Sequence, residues 1–299
     1  MQKFLKKKFT LKDGIYNFNV EDPSTKFVTE FYRESPFPNY KKDDTKSSIL
    51  ERGNKNFFAS NFKKFIGYKK DVLEVGCGTG QLSAYFSIGN NNNIIGLDPT
   101  FESLQLGKKF IERNNLKNVN FVRADIFDDV LKDNIFDFIW CNGVLHHTKN
   151  PSKAFDILIK SLKKEGYVLI GLYNKIGRIR TLIRKYLYKL FGISMLKFLD
   201  PTLKNLKIDD EEKKSWIRDQ YLHPIESLHT IDEVLGWFKK NNIKFISSIP
   251  SCNLHDDYEN LFEEKSKGSR YLRLFSQFFM IFNRLGSDGG LFFVIGKKV

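Results

Sequence analysis

VLEVGCGTG, residues 72–80, runs directly into QLSAYF, residues 81–86. Val72–Val75 reads as a buried strand, Gly76, Gly78 and Gly80 as a tight loop, and Gln81–Phe86 as the opening of a helix. Outward from this unit, short apolar runs alternate with longer amphipathic ones. Ile94–Leu97, Val119–Val122, Phe136–Cys141 and Tyr167–Leu172 read as strands, and Phe101–Arg113 and Ser152–Leu162 as helices. Alternation at these lengths predicts βαβ units with right-handed crossovers, hence an α/β fold with a mostly parallel sheet and helices on both faces. Beyond Leu172 the pattern is interrupted by a largely helical stretch. It resumes with a helix at Ile231–Lys240 and a strand at Ile243–Ile249, and closes with a strand at Leu291–Ile295. Two strands this late predict an antiparallel pair at one sheet edge.

The same reading divides the 299 residues. Residues 1–68 form an extension or lid, polar and aromatic, broken by Pro23, Pro36 and Pro38, with a helical pattern at Phe57, Phe58, Phe62 and Phe65. Residues 69–173 form the ligand-binding core, 174–229 a helical insertion, and 230–299 the rest of the core with a second insertion at 250–288. At 41% hydrophobic and 28% charged the chain carries enough apolar side chains for a buried core, which excludes a disordered or fibrous protein. The net charge is +14, so nucleic acid or an anionic membrane enters as a partner. Only 11 of the 49 basic residues are Arg, the side chain that phosphate and base recognition recruits, so most of the excess reads as solvated surface. Cys77, Cys141 and Cys252 are too scattered for a disulfide framework or a zinc site, and no metal is expected. A reducing, cytoplasmic location follows, since the N-terminus has positive charge but no apolar h-region and no stretch approaches the apolar length of a membrane span.

A glycine loop between the first strand and its helix is where a nucleotide-like ligand sits in an open parallel sheet: the backbone can approach it and the helix start offers free N–H groups. Asp98, ending the second strand, can accept hydrogen bonds from ribose hydroxyls. The dinucleotide fingerprint wants a third glycine where Gln81 stands. Glu74, two residues before Gly76, repels a diphosphate but suits a ligand carrying an ammonium and a sulfonium. These features favour S-adenosyl-L-methionine over NAD.

Leu73 to Gly80 resembles motif I of the class I S-adenosylmethionine-dependent methyltransferases. Gly96-Leu97-Asp98 resembles that family's ribose site, Arg123-Ala124-Asp125-Ile126 the segment whose carboxylate meets the adenine amino group, Phe136 to His147 the fourth-strand motif, and Leu162 to Leu172 the approach to the fifth strand. The resemblance covers 70–172 closely, and 230–249 and 290–296 loosely. It implies a Rossmann-like sheet of seven strands with the last inserted antiparallel. It assigns Glu74, Gly76, Cys77, Gly78, Gly80, Asp98, Pro99, Asp125 and Ile126 to the cofactor, with Asn142 beside its methionine part. Cys77 reads as a small packing residue of the loop, not a nucleophile.

Methyl transfer from a sulfonium needs alignment and exclusion of water more than a protein nucleophile. A base is needed where the acceptor is protonated. His146 and His147, after the fourth strand, are the catalytic candidates, and as neighbours only one of them should face the pocket. Tyr32, Tyr40, Tyr173, Tyr221, His223 and Glu226 are the acceptor-pocket candidates, with Tyr32, Phe37 and Tyr40 as elements of a lid. His229 and Thr230 have a local explanation, a capping box from Thr230 to Glu233.

Residues 174–199 carry seven Lys or Arg and no acid, with apolar positions 176, 179, 183, 186, 187, 190 and 191 at helical spacing. The expectation is a lid helix packing its apolar face on the core with charge outward; an interfacial helix on anionic lipid and a phosphate-binding surface remain alternatives. Together these readings point to methyl transfer to an O, N or S atom of a small-molecule acceptor. An RNA or lipid-linked acceptor and a non-catalytic cofactor-binding module are the rivals.

Overall fold

The computed structural model describes residues 1–33, 36, 38–204, 210–253, 260–282 and 290–299. Phe37 of the expected lid lies outside them. Two three-residue strands, β1 (Thr10–Lys12) and β2 (Ile15–Asn17), are joined by Asp13-Gly14 with φ of 50° and 70°, the left-handed pair that a tight hairpin turn demands. Three helices follow: α1 (Pro23–Arg33), α2 (Lys46–Lys55), opened by a Thr45–Ser48 capping box, and α3 (Phe57–Ile66), capped by Asn56. The alternating region supplies β3 (Asp71–Val75), α4 (Gln81–Ser87), β4 (Asn93–Asp98), α5 (Phe101–Arg113), β5 (Val119–Arg123), β6 (Phe136–Asn142), α6 (Pro151–Lys160) and β7 (Leu162–Tyr173). The first insertion holds α7 (Ile179–Phe191), α8 (Ile193–Leu199) and α9 (Asp210–Ile217), the last running into a wide turn at Arg218–Leu222. The chain then makes α10 (Ile231–Lys240), whose Thr230–Glu233 capping box is present, β8 (Ile243–Ile249), α11 (Arg270–Phe279) and β9 (Leu291–Lys298).

The strands form one sheet in the order β1-β2-β5-β4-β3-β6-β7-β9-β8. From β2 to β7 all neighbours are parallel, and β9 lies antiparallel between β7 and β8. The seven strands from β5 to β8 reproduce the expected sheet. The total is nine, not seven, because the β1–β2 hairpin adds itself to β5, Tyr16 beside Val122 and Asn17 beside Arg123. A hairpin there covers a row of backbone donors and acceptors that β5 would otherwise leave open as an edge.

The central strands are buried on both faces, which is why they read as continuous apolar runs. Leu73, Ile95, Ile139 and Ile170 face a core shared with Phe155 of α6 and Phe238 of α10, whereas Val72, Ile94 and Phe138 face one shared with Phe62 of α3 and Phe86 of α4. The chain leaves β3 in one direction towards β4 and in the other towards β6. A crevice therefore opens past the carboxyl ends of these three strands, where Val75, Asp98 and Asn142 stand.

The insertion differs from its expected form. Gly192, at φ 73°, divides the basic amphipathic stretch into α7 and α8. Its apolar stripe does not pack on the core: Ile179, Ile183, Tyr186 and Leu190 are exposed, while Arg178, expected on the charged face, is fully buried. The insertion instead has a small core of its own, made by Leu196, Leu203, Ile217 and Tyr221.

Candidate functional site

Gly76 and Gly80 leave β3 and enter α4 with φ of 62° and 73°. A Cβ at Gly76 would lie 2.3 Å from a Val144 methyl, and one at Gly80 2.4 Å from the Phe121 ring, so both positions require glycine on two counts. The loop turns the Gly78 N–H onto Asp98 Oδ2 at 2.8 Å, while Thr100 N–H donates to Asp98 Oδ1 at 2.8 Å. Each carboxylate oxygen keeps a lone pair for a ligand hydroxyl. Burial raises the Asp98 pKa above the usual carboxylate value, and pushes the Cys77 thiol well up, which leaves Cys77 an inert wall of the loop.

Glu74 is fully enclosed and accepts a hydrogen bond from the Ser83 hydroxyl. Burial, with Asp98 nearby, drives its pKa up to about 8. A carboxyl so desolvated gains most from a ligand that brings positive charge. Asn142, at the end of β6, has its Oδ1 buried with no hydrogen-bond partner among the described residues, an acceptor waiting for a donor.

These groups line a cavity of about 530 Å³. Glu74, Gly76, Cys77, Gly78, Asp98, Pro99, Asp125, Ile126 and Asn142 all face it; Gly80 sits behind, shaping the loop. Asp125 Oδ1 accepts the Phe127 N–H at 2.8 Å and Oδ2 accepts the Thr25 hydroxyl, so α1 is tied to the expected adenine end. The segment at Pro38–Tyr40 covers the glycine loop. Thr79 Oγ1 donates to Pro38 O, and Gln81 Nε2 donates to Asn39 O at 2.9 Å. Tyr40 does not line the cavity. It stacks on Phe110 with ring centroids 4.3 Å apart, its hydroxyl buried without a partner among the described residues.

At the other end the two adjacent histidines part. His147 lines the cavity, with Nδ1 2.7 Å from Ile225 O. A carbonyl only accepts, so the proton sits on Nδ1 and the Nε2 lone pair is left available. Burial, the largest influence, takes the His147 pKa down to about 4. His146 does not line the cavity. It is fully buried against Tyr173, and neither ring nitrogen has a hydrogen-bond partner among the described residues.

Of the acceptor candidates, Tyr32 and Tyr173 face the cavity, whereas Tyr221, His223 and Glu226 do not. Tyr221 belongs to the insertion core, its hydroxyl donating to Asp200 Oδ2 at 2.5 Å. His223 backs His147. Glu226 is clamped by Arg178, whose Nε and Nη2 donate to its two oxygens at 2.9 Å each. Arg178 also donates through Nη1 to Gln220 Oε1 at 2.9 Å and lies 3.4 Å from the Tyr173 ring centroid. Gln220 Nε2 in turn donates to the Tyr173 hydroxyl at 2.9 Å and to Asp219 Oδ2 at 2.8 Å, and the Tyr32 hydroxyl donates to Asp219 Oδ1 at 3.0 Å. Within the 219–226 stretch the cavity wall thus falls to Asp219 and Gln220, with Trp216 ahead of them and Lys149 and Thr25 across the way. Sequence reading placed Asp219 and Gln220 in a candidate cluster with Tyr221, His223 and Glu226 but singled out only the latter three, and it gave no site role to Trp216, Lys149, Thr25 or Arg178. Only the Arg178–Glu226 charge match was visible as a signal, and 48 residues separate its members. Among the described residues no cluster of His, Cys, Asp or Glu could hold a metal ion, and no helix is long and apolar enough to cross a membrane.

Residues 67–242, more than half of the chain, match the family described as Methyltransferase domain. Among curated proteins the chain is 28% identical over 173 residues to the ubiquinone/menaquinone biosynthesis C-methyltransferase UbiE of Idiomarina loihiensis, covering 56% of this chain and 66% of that one. It is 30% identical over 122 residues to the ubiquinone biosynthesis O-methyltransferase of Glaesserella parasuis, covering 39% and 50%. The chain spans about half to two thirds of the length of these relatives. Among solved structures it resembles PKMT2 from Rickettsia typhi, with a TM-score of 0.57 at 20% identity over 76% of this chain and 48% of that one. It also resembles the geranyl diphosphate C-methyltransferase of Streptomyces coelicolor, with a TM-score of 0.53 at 11% identity over 94% and 100%. At these identities the structural likenesses speak for the fold. With the family match and the glycine-loop geometry, they lead to one conclusion: the chain belongs to the class I S-adenosylmethionine-dependent methyltransferases.

Proposed function

We propose that the protein transfers the methyl group of S-adenosyl-L-methionine to a protonated oxygen, nitrogen or sulfur atom of a small-molecule acceptor, with His147 as the base. The observation that carries this reading is a neutral imidazole on the cavity wall whose tautomer is set by Ile225 O, leaving Nε2 as a proton acceptor. The bound donor supplies an electrophilic methyl on a positively charged sulfur. Asp98 would hold the ribose hydroxyls, Asp125 and Ile126 the adenine, and Glu74 and Asn142 the methionine part. Tyr32, Tyr173 and the Asp219–Gln220 pair would position the acceptor and exclude water. His147 Nε2 would accept the proton that the acceptor atom loses as it takes the methyl group from the donor's sulfur, which would leave as a neutral thioether.

Relatives named as C- and O-methyltransferases of ubiquinone biosynthesis support a small-molecule acceptor. In this reading residues 1–68 act as lid, 69–173 as donor-binding core, 174–229 as acceptor cap, and 230–299 complete the sheet. The buried thiols of Cys77, Cys141 and Cys252 support a reducing, cytoplasmic setting. The test is incubation with isotope-labelled methyl donor and fractionated metabolites. Label appearing in a small molecule, and lost with His147→Gln while donor binding persists, supports the reading. Donor binding without transfer to any fraction, or transfer unaffected by His147→Gln, counts against it.

A further inference from the structure

Helix α7 is mounted with its apolar stripe towards solvent. Ile179, Ile183, Tyr186 and Leu190 follow one another a turn apart on the exposed side, Tyr186 at 64% exposure. The basic residues Arg184 and Lys185 are half-buried and lie towards the body, near Tyr221 and Glu226. Helix α8 continues the apolar face with Ile193 and with Phe198 at 69% exposure. The second insertion repeats the arrangement. In α11, Tyr271 at 85% exposure, Leu274, Phe275 and Phe278 look outward, and Phe282 follows them, while polar Ser276 and Gln277 are the buried residues of the helix.

The two insertions meet. Asn174 Nδ2 donates to Gln277 Oε1 at 2.7 Å, Arg180 Nη1 donates to Ile281 O at 3.2 Å, and Gly177 lies against Met280. Their outward side chains therefore belong to neighbouring elements; elsewhere among the described residues the exposed aromatics, Phe27, Phe57, Phe65 and Tyr68, stand on the N-terminal extension. Helices of globular proteins turn such stripes inward, and a large outward apolar patch marks an interaction surface. Around this one stand exposed Lys175, Arg180, Lys189, Lys197, Lys267 and Arg270.

We infer that the face built from α7, α8 and α11 docks on an anionic lipid surface, its aromatic and aliphatic side chains entering the interfacial layer and its basic rim meeting the headgroups. The charge decides the occupant. Residues 174–199 carry seven basic side chains and no acid. Two copies placed face to face would bring like charges together, whereas a negatively charged bilayer answers both the apolar centre and the basic edge. A nucleic acid would need its phosphates met where Ile183, Tyr186 and Phe275 stand. This inference is independent of the acceptor and of the base.

The test is flotation of the full chain with phosphatidylcholine vesicles, with and without phosphatidylglycerol, at low and high salt. Expected is co-flotation with phosphatidylglycerol vesicles, weakened by salt and weakened about tenfold or more by the exposed-site pair Ile183→Asp and Phe275→Asp. A second variant, Lys189→Glu with Lys197→Glu, should weaken binding to the anionic vesicles. Unchanged circular dichroism and melting temperature show that both variants fold. The inference is overturned by any of four results: no flotation with anionic vesicles, equal flotation with neutral ones, equal flotation of the folded variants, or a dimer in size-exclusion chromatography that the Asp variant dissociates.

Discussion

The imidazoles of His147 and His223 are stacked with ring centroids 3.5 Å apart, and both Nδ1 atoms lie 2.7 Å from one carbonyl oxygen, that of Ile225. Burial takes both rings far below the ordinary histidine value, to about 4 for His147 and about 3 for His223, and the neighbouring His147 ring lowers His223 further. A base held neutral in this way works without competition from protons at neutral pH. The acid limb of kcat/KM should therefore lie near pH 4, not near 6.5. His147→Gln should lower kcat roughly 10²- to 10⁴-fold and remove that limb. A pH–rate series on both proteins checks this.

The same depression has a consequence for stability. Between the ordinary histidine value of 6.5 and the folded values near 4 and 3, the unfolded chain binds protons that the native state refuses. The contribution is present above pH 6.5 and is lost as pH falls towards 4. Urea denaturation should show the midpoint dropping over this window, and less so in a His223→Phe variant.

Glu74 behaves in the opposite sense. With its pKa raised to about 8, it is protonated in the free protein at neutral pH. A donor bearing positive charge favours the ionised form, so binding should release a proton below pH 8, and affinity should rise with pH until about 8 and then level. Calorimetry in buffers of different ionisation enthalpy measures the proton. Glu74→Gln should abolish both the release and the slope.

Asp98 joins the glycine loop to the start of α5 through two backbone donors. Asp98→Ala should weaken donor binding by roughly 1–3 kcal/mol and lower the melting temperature, because Gly78 N–H and Thr100 N–H lose their acceptor. Titration calorimetry and thermal melts separate the two effects.

Arg178 and Glu226 form a two-pronged pair with the guanidinium fully buried. Arg178→Met alone should cost about 3 kcal/mol, since it leaves a half-buried carboxylate without its partner. Adding Glu226→Leu should recover much of that loss. A double-mutant cycle by chemical denaturation tests the coupling.

The alternating core was legible because strand length, glycine placement and helical period all pointed the same way there. The helices Phe101–Arg113 and Ile231–Lys240 and the strand Ile243–Ile249 stand where the pattern put them. The β1–β2 hairpin was not, since three residues are too few to show alternation and Leu11 at its centre is 64% exposed; Asp13-Gly14 was the one available signal. The glycine loop, Asp98 and Asn142 stand on the cavity because strand ends in this topology converge. The acceptor end was harder. A stripe on α7 shows that a helix has an apolar face, not which way the face is turned, and the burial of Arg178 is decided by Glu226 on a distant loop. Tyr221 and Asp219 are two residues apart, and only the path of the wide turn at Arg218–Leu222 decides that one enters the insertion core and the other the cavity.

The partnership of β2 with β5 sets an order of events during synthesis. Asn17 and Arg123, 106 positions apart, stand side by side in the sheet. A ribosome releases the hairpin long before its partner strand exists, and so distant a contact forms slowly. The first segment made thus waits for residues 119–123 before it can join the sheet. Thr25 follows close behind and ties α1 to Asp125, so the first helix, too, has its anchor on the crevice only once β5 and the residues after it have been made.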